Sequence, residues 1–372
     1  MKTLYIVSKG LNKPAYGEIE KLEAENKIPR SLLLEQTISA DLLDERYLMD
    51  VAPTFRRAFY RFLPVSISQL FESLFIMNRY DVIVSHTEKA GLPLALVMKY
   101  LKIRKPHIAI ISRITSVDDK KSRQKIWFLK HSKESIDRIL IWSSMQRKIA
   151  IEKLGVLPTK NVLLKRGVDQ NFWKPQQTET DMICSVGMEA RDYPTLVEAL
   201  RPLNIPCHIA AGASRGEILN TVKKLHDIKD LPDFITVGPK NPVELRDLYA
   251  RSQFVVVSLM QTDSDNGLTT ILESMAMGKT VICTRVEGQI DVIQEGITGL
   301  FVPLGDLKAM QSAIIELWND PERCKKMGAA ARKYIEEVHN IEQFAQAIKK
   351  EIESTLVEST PQPKEVLEHI EN

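Results

Sequence analysis

Short runs of β-branched and other apolar residues recur along the 372-residue chain, separated by stretches whose apolar positions return with helical spacing. Alternation of that kind predicts parallel sheets wrapped by helices rather than hairpins, since parallel neighbours need a long crossover between them. In the first half the runs are Thr3–Ser8, Tyr80–Ser85, His107–Ser112, Arg138–Ser143 and Asn161–Lys165. In the second half they are Met182–Gly187, Cys207–Gly212, Ile235–Gly238, Phe254–Leu259, Thr280–Thr284 and Gly299–Pro303. Nearly all are continuously apolar, as strands buried on both faces are. The expected architecture is α/β, with two doubly wound Rossmann-like domains of five or six strands facing each other across a cleft. The rhythm breaks between Gly167 and Thr180, which divides the chain into 1–170, 171–352 and a tail from Glu353. Pro361, Pro363 and the charges around them read as a weakly ordered tail. In doubly wound sheets ligands bind beyond the carboxyl ends of the strands, so functional residues should follow strands directly.

Composition adds exclusions. A chain of this length with 44% hydrophobic residues buries more than one core, so it is not disordered. Cys184, Cys207, Cys283 and Cys324 lie far apart, with neither a CxxC pair nor the spacing of a disulfide framework or zinc site. The apolar run before Lys9 is too short for a signal peptide, and no stretch approaches the length of a membrane span. A cytoplasmic protein is expected, with peripheral association at the inner face of a membrane as a compatible arrangement. The net charge of +3 hides an asymmetry, +15 within residues 51–175 and −12 in the remainder. Such a basic part suits phosphates or an anionic surface.

The stretch from Asp263 to Gly278 carries the most chemistry: a polar loop, then an amphipathic helix. Gly267 lets the backbone approach a ligand, and the N–H groups of Gly267, Leu268 and Thr269 at the helix start offer a seat for phosphate oxygens. Glu273, further along the helix, can accept two hydrogen bonds from a vicinal diol such as a ribose. Read from spacing alone, Asp265 or Asn266 is equally an N-cap and Glu273 a solvated residue. A dehydrogenase is disfavoured, because no G-x-G-x-x-G follows the first strand.

At these residues the chain resembles the retaining GT-B glycosyltransferases of family 4. That family has an acidic pair in the spacing E-x7-E, held here by Asp265 and Glu273 and followed by a small-residue helix, Gly278-Lys279 and a strand. The likeness continues through Glu287–Asp306 and reaches back to Leu164–Asp169, Phe172 and Pro175. It implies transfer of a sugar from a nucleotide-sugar to an acceptor hydroxyl with retained configuration, the donor on the second domain and the acceptor on the first. Many members place Gly-Arg and a later Lys against the diphosphate; here Gly187 is followed by Met188, and the role passes to Arg191 alone. Val237 to Pro239 correspond to the segment that reads the nucleobase. Asp265 would face the donor sugar. Asp263-Ser-Asp265 spells the D-x-D of metal-dependent enzymes of another fold, but the helix start that follows takes over that duty. No metal or other cofactor is therefore expected, and no side-chain nucleophile is evident.

In the first domain the resemblance is looser. Gly10 stands in the loop after the first strand, and His86 at a strand end where members often have a histidine. Arg113 occupies another strand end where members often have a His near the reacting sugar. Ile67, Leu70, Phe71, Leu74 and Phe75 form a helical stripe that is ordinarily core. With the basic aromatic segment from Phe55 it alternatively forms a surface for anionic lipid, from which a lipid-linked acceptor would be reached. A glycan or small-molecule acceptor is equally compatible; nucleic acid is a poorer partner, as no stacking sheet or recognition helix accompanies the cations. A nucleotide-sugar epimerase of similar fold and a non-catalytic nucleotide-sugar-binding protein remain alternatives.

Overall fold

The computed structural model describes the chain apart from residues 9, 12, 13, 113, 115–119, 212–224, 226, 229 and 360–372; of residues 120 and 121 only the backbone is described. Its strands are β1 (Thr3–Ile6), β2 (Ala40–Leu43), β3 (Val82–Ser85), β4 (His107–Ile110), β5 (Arg138–Ile141), β6 (Asn161–Leu163), β7 (Met182–Val186), β8 (Cys207–Ala210), β9 (Ile235–Val237), β10 (Ser252–Val257), β11 (Thr280–Thr284) and β12 (Gly299–Val302). They form two six-stranded sheets, ordered β2-β1-β3-β4-β5-β6 and β12-β11-β10-β7-β8-β9. Within each sheet the strand pairs run parallel. The expected α/β architecture is present, and eleven expected strands are found with ends shifted by a few residues.

The unexpected strand is β2, paired in register Thr3 to Ala40 at the sheet edge. Its residues Ala-Asp-Leu-Leu lack the continuous apolar character of a central strand, because only Leu43 is fully buried. An edge strand meets the core on one face and pairs on one side, so its sequence is free to look helical.

Both sheets reverse direction of winding at one point, between β1 and β3 in the first and between β7 and β10 in the second. Helices leave such a point on opposite faces, and the crevice between them is where ligands reach strand ends. The loops after β1, β3, β7 and β10 therefore lie at these switch points.

The two units share a core. One buried cluster runs from Tyr5, Val84 and Trp142 through Val168, Phe172 and Trp173 to Val257, Leu268 and Met275. The segment after Asp169 is thus partly core, with exposed chain following it. The helix Ile341–Ser359 returns to pack on the Leu33–Thr37 helix of the first unit. It buries Ile352 and Thr355, which corrects the expectation of weak order from Glu353: residues 353–359 are helical, because their apolar side meets the first domain. Among the described residues no helix is long and apolar enough to cross a membrane.

The stripe expected in the core is the clearest reversal. In the helix Val65–Ile76, Ile67, Phe71 and Phe75 are exposed, and Leu70 and Leu74 only half-buried. Ser68, Gln69, Glu72 and Ser73 are buried in their place. Gln69 donates to the Val7 and Leu43 carbonyls, while Glu72 accepts from Arg56 and from the Tyr60 hydroxyl. Those polar partners, which periodicity cannot reveal, set which side of the helix faces inward.

Candidate functional site

The loop after β7 turns at Gly187, whose φ of +123° suits glycine. A Cβ there would lie 2.2 Å from the Arg191 guanidinium. Arg191 is 4% exposed and folds back under the loop. It donates to the Val186 carbonyl (2.9 Å), the Glu189 carbonyl (2.8 Å) and Thr270 Oγ1 (3.2 Å). Burial pulls its affinity for the proton down, yet a guanidinium keeps its charge. Asp192 caps the Tyr193–Leu200 helix through Thr195. The Gly187 amide is engaged by the Ala210 carbonyl and its own carbonyl by Tyr193. Through Thr270 the arginine joins the β7 loop to the helix that follows β10.

That helix, Leu268–Ala276, begins at Gly267 in a left-handed conformation with φ +92°. No side chain caps it, so neither Asp265 nor Asn266 is its N-cap. The Leu268 amide donates to the Asp265 carbonyl at 3.1 Å, which corrects its reading as a free phosphate donor: the tight turn at Gly267 uses it internally. Thr269 is exposed beside it. The preceding loop is stiffened by Thr262 and Ser264, both hydrogen-bonded to Asn266 Oδ1, and by Gly288, which donates to the Thr262 carbonyl and packs against Ser264. Asp263 is 7% exposed. Asp265 is half-buried and accepts from Gln146 Nε2 at 3.3 Å across the cleft.

Glu273 is half-buried, and its Oε2 accepts from the Tyr249 hydroxyl at 3.1 Å. Burial pushes its carboxyl up to about 7, against the pull of Tyr249 and of the charge on Arg166. Tyr249 is fully buried and is fixed by Trp173 edge-on, with ring centroids 5.7 Å apart. At the end of β9, His208 brackets Val237: Nδ1 lies 2.7 Å from Thr236 Oγ1 and Nε2 3.3 Å from the Gly238 carbonyl.

From the first domain, His86 extends past β3, half-buried, with Nδ1 2.5 Å from the Tyr5 hydroxyl and its ring edge-on to Trp142. Burial pushes the Tyr5 phenol far up, so it keeps its proton beside the ring. Trp142, Lys165, Arg166, Asp291 and His339 line a hollow at the domain junction together with Leu268. Gly10 lines a different hollow with Tyr16, Leu42, Asp44 and Arg46, so the structure does not bring it to Leu268. Arg113 lies outside the described residues.

Three side chains of this region were not singled out in the sequence: Gln146 opposite Asp265, Thr270 under Arg191 and Tyr249 behind Glu273. Arg166 was legible only as part of the junction Leu164–Asp169. Asp291 completes the helix Ser144–Glu152, which has no side-chain cap of its own, by accepting from the Ser144 amide (2.8 Å) and hydroxyl (2.6 Å). Arg30 similarly ties the first domain to Asp169 and Glu342, each at 2.7 Å.

Residues 189–334 match the family model described as Glycosyl transferases group 1. N-acetyl-alpha-D-glucosaminyl L-malate synthase of Bacillus anthracis is 35% identical over 120 residues, or 32% of this chain and 29% of that protein. The putative glycosyltransferase EpsD of Bacillus subtilis is 30% identical over 87 residues, 23% of each chain. The chain thus spans less than a third of the length of these two relatives in its matches. Among solved structures, Anabaena HepE in complex with UDP superposes with a TM-score of 0.71 at 16% identity, covering 95% of this chain and all of that one. Sucrose-phosphate synthase of Thermosynechococcus elongatus gives 0.74 at 15% identity, covering 96% of this chain and 100% of that chain. The chain therefore has the GT-B glycosyltransferase fold, and its residues 189–334 are similar in sequence to the group 1 glycosyl transferases.

Proposed function

We propose that this protein is a nucleotide-sugar-dependent glycosyltransferase of family 4 that moves a sugar to an acceptor hydroxyl with retention of anomeric configuration. The observation that carries the reading is the junction at β7 and β10, where Gly187, buried Arg191, the Gly267 helix start and Glu273 converge through Thr270 and Tyr249. Glu273 takes the ribose diol, with Val237 and its neighbours along the base. The helix start at Gly267, with Thr269 and the positive end of the helix, receives the diphosphate. When the glycosidic bond breaks, its electron pair leaves with the nucleoside diphosphate, and preorganised positive charge lowers that barrier. Arg191 supplies such charge from beneath the loop while positioning it. Asp265 meets the sugar hydroxyls, and His86 meets the reacting region from the first domain. No metal is required in this scheme, because helix start and arginine answer the charge.

UDP is the nucleotide to test first, since HepE has been crystallised with UDP and with UDP-glucose. The acceptor is a glycan, a lipid-linked saccharide or a small molecule, met in the cytoplasm with peripheral association at an anionic membrane. Incubation with a panel of UDP-sugars, with and without acceptor extracts, tests the reading: UDP release that depends on acceptor supports it. Isomerised nucleotide-sugar without acceptor would make it an epimerase, and binding without turnover a non-catalytic partner.

A further inference from the structure

We propose that the face built by the helices Thr54–Tyr60 and Val65–Ile76 docks on an anionic lipid bilayer, holding the acceptor side of the cleft against the membrane. This deepens the peripheral association of the reading above and is tested without any transfer activity.

The two helices and the turn between them expose what a water-facing surface ordinarily hides. Phe55, Phe59, Phe62 and Phe75 are 73%, 54%, 87% and 60% exposed. Ile67 and Phe71 extend the patch, and Phe59 and Phe71 meet edge-on at 6.4 Å, so it is continuous between the helices. Meanwhile the Val65–Ile76 helix buries Ser68, Gln69, Glu72 and Ser73 beside Ile76 on its inward side, with Val65 and Leu74 packed at the edge of the core. A helix that buries four polar residues while leaving Ile67, Phe71 and Phe75 outside is matched to a medium that is apolar where the helix faces it.

Charge selects the occupant. Between Val51 and Tyr80 the chain has four arginines and one carboxylate, Glu72. That carboxylate is fully buried and answered by Arg56 and Tyr60. Arg56 also lies over the rings of Phe55 and Phe75, at 5.5 and 5.0 Å, and Arg61 is exposed next to Phe62. Aromatic rings with arginines at their border suit the junction of acyl chains and anionic headgroups. A two-fold dimer through this face would set the arginines of two copies against each other.

Gln69 connects the face to the cleft. Its amide donates to the Val7 carbonyl at 2.9 Å and the Leu43 carbonyl at 2.7 Å, at the carboxyl ends of β1 and β2. The docked helix is thereby bolted to the rim of the first sheet that faces the cleft, so the face favours an acceptor presented from the bilayer.

The experiment is flotation of the 372-residue chain with vesicles of phosphatidylcholine alone or mixed with phosphatidylglycerol. Binding is expected on the mixed vesicles, to weaken with added salt, since screening acts over about 8 Å at physiological ionic strength. The double variant Phe59→Ser, Phe62→Ser should lose at least about tenfold in vesicle affinity, with melting temperature and nucleotide binding unchanged. No flotation, equal flotation on both vesicles, or a dimer in solution that the double variant dissolves would overturn the proposal; the last would assign the face to a second copy. None of these outcomes bears on sugar transfer, so the two readings fail separately.

Discussion

If Glu273 holds the ribose, nucleotide binding should carry the signature of its raised proton affinity. The carboxyl ordinarily titrates at 4.5 and is pushed up to about 7 by burial beside Tyr249. A diol donates hydrogen bonds, which the carboxylate accepts on both oxygens and the neutral acid on fewer. Bound nucleotide thus favours the ionised form, and binding below neutrality should release a proton. About nine-tenths of the group is ionised at pH 8 and about one-tenth at pH 6, so affinity should fall about tenfold, or about 1.4 kcal/mol. Titration calorimetry at both pH values, in two buffers of different ionisation enthalpy, reads affinity and proton count together. The variant Glu273→Gln removes the ionisation, and its pH profile subtracts titration of the ligand's own phosphates. Stability of the free protein runs in a defined direction as well. The folded value lies above the unfolded one, so this contribution is complete below about 4.5 and is lost as pH rises through about 7. Saturating nucleotide should offset that loss. A wild-type profile that matches Glu273→Gln, with no proton released, would refute both the ribose contact and the reasoning from burial.

Arg191→Met should lower the melting temperature as well as kcat, by about 3 kcal/mol or more in stability, because buried carbonyls of Val186 and Glu189 lose their donor; Arg191→Lys should recover only part, and unchanged melting curves would contradict the geometry. Gly187→Ala, at φ +123° and against the guanidinium, should cost about 2 kcal/mol or more by denaturant unfolding and impair nucleotide binding. Asp265→Asn should reduce transfer with little change in UDP affinity, and turnover should survive EDTA; activity lost in chelator and restored by Mn²⁺ or Mg²⁺ would instead enlist Asp265 and Asp263 in a metal site. Asp291→Ala should remove the cap that the second domain provides for the Ser144–Glu152 helix, at about 1 kcal/mol in thermal unfolding.

The strands were legible because a central parallel strand is covered on both faces, so its whole sequence must be apolar wherever it packs. Gly267 was legible as a point of close backbone approach and Gly187 through the resemblance, whereas their positive φ values appear only in the structure. The acidic spacing of Asp265 and Glu273 follows from one loop and one helix, both short enough to read as a pattern.

Helices and polar pairs obey longer-range rules. Periodicity identified the apolar side of Val65–Ile76 but not its direction, which depends on Gln69 meeting the carbonyls of β1 and β2 and on Glu72 meeting Arg56. Arg191 could be named as the cation of its loop, but only folding brings Thr270, 79 positions away, into its reach and buries the guanidinium. Gln146 and Asp265 are 119 positions apart and belong to different domains. The sequence by itself therefore determined the strands other than β2, their wrapping by helices and the motif beside the second sheet, all of which are set by local pattern and backbone conformation. Tertiary structure alone decided which helix face meets water, what each buried charge leans on and how the domains close, because those choices depend on partners supplied from elsewhere in the chain.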